Sequence, residues 1–207
     1  DGMVVSAQHL ATEVGVDVLR KGGNAVDAAV AVGYALAVVY PQAGNIGGGG
    51  FMTVRLADGR TTFLDFREKA PIAATATMFQ DAKGEVIPDL STNSWKAVGV
   101  PGTVMGLERA RVLYGTMSRA ALMAPAIKLA RDGFVLGQGD AAVMALEGER
   151  LGQDPAMARI FLPAGRLLTK GDRLAQRDLA ATLSLISAKG PDAFYKGPIG
   201  AAIADAS

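Results

Sequence analysis

The chain has 207 residues, half of them hydrophobic and 20% charged. That excludes an intrinsically disordered chain, which combines low hydrophobicity with high net charge. Its 21 Lys and Arg against 20 Asp and Glu leave a net charge of +1, without the basic excess of a general nucleic-acid binder. With no Cys and one His, it offers no disulfide framework, thiolate nucleophile, Cys-ligated zinc or multi-His metal site.

In chain order, the apolar run Met3–Ser6 reads as a short strand. Val14, Val18 and Leu19 recur at helical spacing, which predicts a helix over Ala11–Arg20. Lys21-Gly22-Gly23 stops it: the Lys charge suits a helix C-terminus and Gly supplies a left-handed cap. Asn24 is a candidate N-cap for a second helix, Ala25–Val39, which ends before Pro41. That helix is Ala and Val almost all round, which predicts burial on most sides, with Ala28, Ala29, Ala31 and Gly33 allowing close approach of a neighbouring backbone. The run Ala28–Tyr40 falls short of the roughly 18 to 20 apolar residues of a membrane-spanning helix. No signal peptide is visible, so one was either never present or removed.

A glycine-rich stretch, Asn45–Gly50, leads into two β-like runs, Phe51–Leu56 and Thr61–Phe66. Asp58-Gly59 between them is a hairpin signal, and the hairpin should join a sheet. A loop, Arg67–Pro71, and a polar segment with turn signals follow, up to Ser94. Pro101-Gly102-Thr103 opens a helix reaching Tyr114, with Val104, Leu107, Ala110 and Leu113 on one face. Further helices are expected over Ser118–Ala130, Ala141–Leu151, Leu179–Lys189 and Ile199–Ala206. No internal repeat or low-complexity linker breaks the chain, whose length allows one large domain or two small ones.

Several residues invite a chemical reading. Gly47, Gly48, Gly49 and Gly50 could cradle a phosphate with backbone N–H groups. They lack the G-x-x-x-x-G-K-[ST] pattern, however, and sit between a helix and a strand in the order opposite to a P-loop. A tight backbone passage that excludes side chains, or a loop lining a substrate pocket, competes with that reading. Strand alternation puts Phe63 and Asp65 on one face and Leu64 and Phe66 on the other, leaving Arg67 at the strand end. There its guanidinium could offer a two-pronged fork to a carboxylate. The alternative is a structural ion pair with Asp65, Glu68 or a more distant acid. Asp27, on an apolar helix, is either a catalytic carboxylate or a buried group that accepts from loop amides or pairs with a base. His9 reads as a satisfied or exposed histidine: a Ser–His pair would have to use it, and no nucleophile-elbow pattern surrounds it. Trp95 belongs to no stacking ladder for single strands, and the scattered Met residues read as core filler. No complete catalytic constellation is present.

Seven segments, in order, resemble the large subunit of γ-glutamyltranspeptidases: Gly22–Val38, Pro41–Met52, Leu64–Pro71, Val100–Leu107, Tyr114–Met117, Ala126–Phe134 and Gly190–Ile199. The weakest stretches are Asp81–Val98 and Gly137–Lys170. The resemblance implies an α+β fold, the αββα sandwich of N-terminal-nucleophile hydrolases, here as an incomplete, helix-rich portion; residues 1–207 would be part of the large subunit of a single domain, without an internal boundary. It implies a precursor that cuts itself into a large and a small subunit, so that the small subunit is a partner of this chain. A Thr at the small subunit's new N-terminus attacks the γ-glutamyl amide of glutathione and related donors, with its own α-amine as base. The acyl-enzyme then passes to water, an amino acid or a peptide. No cofactor or metal is implied, no catalytic residue is expected in this chain, and the fragment alone is expected to be inactive. Arg67 maps to the Arg of the family's D-F-R-E motif and is implied to grip the substrate's α-carboxylate. Asp65, Glu68 and Gly47–Gly50 map to structure near the site. A periplasmic or secreted location is implied. The alternatives are an acylase of the same superfamily, acting on cephalosporin side chains or poly-γ-glutamate, or a non-catalytic binding fragment.

Overall fold

A computed structural model describes residues 2–206. Helix α1 (His9–Arg20) begins after Gln8, whose side chain accepts from the Leu10 amide. Helix α2 (Ala25–Val39) starts with a reciprocal cap: Asn24 Oδ1 accepts from Val26 N and Asp27 N, and Asp27 Oδ2 accepts from Asn24 N. Strands β1 (Phe51–Arg55) and β2 (Thr61–Asp65) form an antiparallel hairpin with Phe51 opposite Asp65 and Thr53 opposite Phe63. Helices α3 (Thr103–Tyr114) and α4 (Arg119–Asp132) precede a two-residue strand β3 (Phe134–Val135). Then come α5 (Gln138–Leu146), α6 (Gly148–Gln153) and α7 (Pro155–Phe161), followed by β4 (Arg173–Leu174), which pairs antiparallel with β3. Helices α8 (Arg177–Lys189), α9 (Asp192–Tyr195) and α10 (Pro198–Ala206) complete the order.

The contacts divide the chain into two compact units. One comprises the described residues up to Asn45 together with Arg111–Ala188; the other comprises Ile46–Ala110 and the residues from Lys189 onward. In the first, α2 is the central helix. Val30, Ala31, Tyr34, Ala35, Val38 and Val39 are all but removed from solvent, as are Leu122, Met123, Ala126 and Ala130 of α4 and Leu183 and Ile186 of α8. Burying such side chains stabilises by roughly 1.5 to 3 kcal/mol each for the larger ones. Polar backbone ends inside this core find partners: the buried Gln176 donates from Nε2 to the Val38 carbonyl at 2.8 Å, closing the end of α2.

Three sequence expectations are corrected. Met3–Ser6 forms no strand; Met3 and Val5 are exposed and the segment pairs with nothing in a ladder. The helix expected over Ala141–Leu151 breaks at Glu147, which closes α5 before α6 starts. The close approach on α2 does not use Ala29, which is exposed. It occurs at Gly15 of α1, where an added Cβ would lie 2.7 Å from Val32 Cγ2 and 2.7 Å from Val4 Cγ1.

In the second unit the hairpin has two unlike faces. Val54, with Met52 and Leu64, turns inward, while Phe51 and Phe63 are exposed and stack at 5.7 Å. Asp58 accepts from Arg60 N and Gly59 adopts φ +87°, which closes the turn. The 67–100 segment carries no regular element beyond a short 3-10 turn at Trp95–Ala97 and two isolated bridges.

Candidate functional site

Arg67 follows β2 directly, and its backbone is tied on both sides. Phe66 exchanges both backbone bonds with Gly50, at 3.0 and 3.3 Å. Lys69 does the same with Val100, at 2.8 and 3.3 Å. Between these two clamps, Asp65 Oδ1 accepts from the Arg67 amide at 2.9 Å. The side chain behaves differently. It is 70% exposed, and the one ion pair it makes among the described residues is a loose 3.9 Å contact from Nε to Glu68 Oε2. Asp65 therefore spends an oxygen on the backbone rather than on the guanidinium. Of the sequence-level alternatives for Arg67, a tight structural ion pair is not what this geometry contains.

Phe66 is the element that sets the strand end in place. Its ring is held between Gly50, where a Cβ would come to 2.9 Å of Cε2, and Gly106 on α3, where a Cβ would overlap the ring and its Cβ. Gly102, just before α3, lies against the Phe66 carbonyl so closely that any Cβ there would overlap it. A Cβ on Gly49 would stand 2.6 Å from the Phe66 carbonyl oxygen and 2.7 Å from Glu68 N. At Gly49 and Gly50, then, the glycine run passes where side chains do not fit. At Gly47 an added Cβ meets nothing. The Gly48 carbonyl is committed to the Gly102 and Thr103 amides, at 2.7 and 3.0 Å. The loop thus presents a carbonyl to the start of α3.

Asp27 lies fully buried in the other unit. Its carboxylate accepts from Asn24 N, from the Thr116 amide and hydroxyl (Oγ1 at 2.7 Å) and from Met117 N. Burial alone would raise its pKa; the Thr116 hydroxyl and the surrounding amides outweigh that, and the group is held below the usual aspartate range. It is a clasp on the turn between α3 and α4 rather than a free acid. His9 and Trp95 are exposed, and neither gathers other chemistry-bearing groups. Among the described residues, no three of His, Asp and Glu are grouped so as to hold a metal ion, and no helix is long and apolar enough to cross a membrane.

Sequence reasoning missed the wedge at Phe66, the glycines at 102 and 106 that admit it, and Tyr195, whose hydroxyl accepts from Met105 N and donates to the Pro101 carbonyl. One signal was available: Pro101-Gly102 opens a helix with no capping side chain at the residue before it, so its first amides must find acceptors elsewhere.

The gamma-glutamyltranspeptidase family model matches residues 11–207. The chain is 62% identical, over 200 residues and 96% of its length, to a glutathione hydrolase proenzyme of Pseudomonas sp. (strain A14). It is 41% identical, over 99% of its length, to an acylase ACY 1 proenzyme of Pseudomonas sp. (strain SE83). It superposes on the crystal structure of Helicobacter pylori gamma-glutamyltranspeptidase with a TM-score of 0.94 and 47% identity, covering 98% of this chain and 58% of that one. The chain spans about a third of the length of the curated relatives it matches: 35% of the Pseudomonas proenzyme and 38% of the acylase. The fold is a helix-rich portion of an N-terminal-nucleophile hydrolase, an α+β architecture with an αββα core. The chain belongs to the γ-glutamyltranspeptidase family.

Proposed function

We propose that the protein of which this chain is a part transfers or hydrolyses γ-glutamyl groups, drawn from glutathione and related γ-glutamyl amides. In this reading one precursor cuts itself into two subunits, and the nucleophile is a Thr at the new N-terminus of the small subunit, outside this chain. Its hydroxyl attacks the amide carbonyl, its α-amine takes the proton, and the leaving amine departs with a proton returned to it. Water, an amino acid or a peptide then resolves the acyl-enzyme. Both compact units belong to one N-terminal-nucleophile-hydrolase domain, with the small subunit as partner, and the protein works in the periplasm or outside the cell. Asp65, Glu68 and Gly47–Gly50 serve as structure around the site.

Arg67 is this chain's contribution to substrate binding. The observation that carries the reading is the contrast between its pinned backbone and its exposed, nearly uncommitted guanidinium. An α-carboxylate is planar and accepts two parallel N–H bonds, and a rigid strand end can hold the fork ready for it. Losing a charge-assisted contact costs about 1.5 to 3 kcal/mol, on the order of 10- to 100-fold in kcat/KM.

The test uses the full-length enzyme and γ-glutamyl-p-nitroanilide. Arg67→Lys keeps the charge and loses the fork; Arg67→Ala loses both. Both variants are expected to cleave themselves normally and to raise KM. Arg67→Ala with normal processing and unchanged kcat/KM would overturn the assignment. The acylase relative motivates a second reading, in which the acyl group is a cephalosporin side chain or poly-γ-glutamate. A loss confined to donors that bear an α-carboxylate favours the γ-glutamyl reading; preferred turnover of cephalosporin donors without one favours the acylase, and preferred turnover of the polymer, whose residues keep their α-carboxylates, favours poly-γ-glutamate.

A further inference from the structure

We propose that Tyr195 is a positioning residue for Arg67, acting through its hydroxyl on the first turn of α3; this rests on Arg67 being the substrate-binding group. Helix α3 follows Pro101-Gly102, so the residue before it has no side chain to take up the amides that every helix leaves unpaired at its start. Two distant segments supply the acceptors instead. The Gly48 carbonyl takes the Gly102 and Thr103 amides. The Tyr195 hydroxyl takes the Met105 amide at 3.2 Å and donates its proton to the Pro101 carbonyl at 2.9 Å. A phenol has one proton to give and lone pairs to receive, and here both functions are used on one turn of one helix.

That turn is the surface against which the Arg67 backbone is built. Gly102 abuts the Phe66 carbonyl, with the Arg67 carbonyl 3.3 Å from the place a Cβ would occupy, and Gly106 receives the Phe66 ring. Fixing residues 101–105 therefore fixes the height at which Phe66 seats and the direction in which Arg67 leaves the strand. Tyr195 is itself well anchored: its ring meets the buried Phe194 edge-on at 5.0 Å. Burial raises the phenol's pKa although the Met105 amide pulls it down.

The test is Tyr195→Phe in the full-length, processed enzyme, which keeps the ring and removes the hydroxyl. KM for γ-glutamyl-p-nitroanilide is expected to rise on the order of 3- to 10-fold, with kcat within about twofold, the pattern of lost ground-state binding. The rise should vanish for acyl donors lacking the α-carboxylate, and adding Tyr195→Phe to Arg67→Lys should change KM little further. Phe194→Leu, which loosens the same short helix and leaves the hydroxyl pair, should lower the melting temperature and leave KM unchanged. The proposal is overturned if Phe194→Leu raises KM as much as Tyr195→Phe does, if the Tyr195 and Arg67 effects simply add, or if Tyr195→Phe fails to fold or process. If Arg67→Lys raises KM and Tyr195→Phe does not, this proposal fails and the Arg67 reading stands. If Arg67→Lys leaves KM unchanged, the Arg67 reading itself fails.

Discussion

Replacing Asp27 by Asn is an isosteric change that isolates one charge. In the native structure the two carboxylate oxygens accept from Asn24 N, Thr116 N, Thr116 Oγ1 and Met117 N, all at 3.1 Å or less. An Asn side chain has one acceptor oxygen, and its NH2 must face donors whichever way it is turned. If Nδ2 takes the Oδ1 position, it confronts the Thr116 and Met117 amides; in the Oδ2 position, it confronts Asn24 N, and the Thr116 hydroxyl must reverse. One or two charge-assisted bonds are lost at a site with no access to water, at about 1.5 to 3 kcal/mol each. The expected cost is about 2 to 4 kcal/mol, with Asp27→Ala costing more because the amides are then left without an acceptor. Thermal unfolding of the full-length protein should show a lowered midpoint. Hydrogen exchange should localise the change, with the Thr116 and Met117 amides losing protection while the centre of α8 keeps it. The pH dependence has a definite sign. Asp27 titrates below its ordinary value, near 3.8, so its contribution is complete above that pH and is lost as the pH falls through the lower folded value. The gap between wild type and Asp27→Asn should therefore be full at neutral pH and close in acid below that point. A wild-type midpoint with unchanged protection at Thr116 and Met117 would refute the account.

Two further predictions concern close packing. Gly→Ala inside a helix ordinarily gains about 1 kcal/mol, but Gly106→Ala should instead cost about 1 to 3 kcal/mol and raise KM, because its Cβ overlaps the Phe66 ring that Gly50 backs from the other side; a gain in stability on denaturant unfolding would contradict the wedge. Gly15→Leu should overpack the α1–α2 contact by a similar amount, whereas Ala29→Leu, at an exposed position, should stay within about 0.5 kcal/mol of wild type; equal effects of the two substitutions would show that the contact was misplaced.

What the sequence made legible follows from how local each signal is. Helix α2 was bounded correctly because Asn24 and Pro41 act within a turn of its ends, and the hairpin was found because Asp58-Gly59 dictates its own backbone. The strand pair β3–β4 escaped because two residues a side leave no period to detect. Helix α7 carried its own start signal, Asp154 accepting from Ala156 N and Met157 N with Pro155 at its first position, but lay in a stretch with little apolar periodicity. Around the candidate site, alternation was enough to place Arg67 at a strand end. It could not supply the clamps, because Gly50–Phe66, Lys69–Val100 and Gly48–Gly102 are bonds between backbone groups, and backbone groups are the same whatever residues carry them.

Six of the seven segments that carried the family resemblance meet, in space, at two joints. Asn24 and Asp27 hold the turn that runs from Tyr114 to Met117: Asn24 Nδ2 reaches the Tyr114 carbonyl at 2.7 Å and Asp27 takes the next two amides. Gly48–Gly50, Asp65–Lys69 and Val100–Gly106 form the other joint, with Tyr195 completing it. This arrangement decides how substitutions should be interpreted. A surface ion pair as loose as Arg67–Glu68 is worth about 0 to 1 kcal/mol, so stability gives no reason for an Arg there, and changing it should leave the fold intact. Changing Gly49, Gly102 or Gly106 would move the same guanidinium by distorting the backbone beneath it. A kinetic loss at those glycines could therefore arise from unfolding, whereas a loss at Arg67 with a normal melting temperature points to what its guanidinium binds. On the proposed assignment, Arg67 is thus the position at which function separates from fold in this chain.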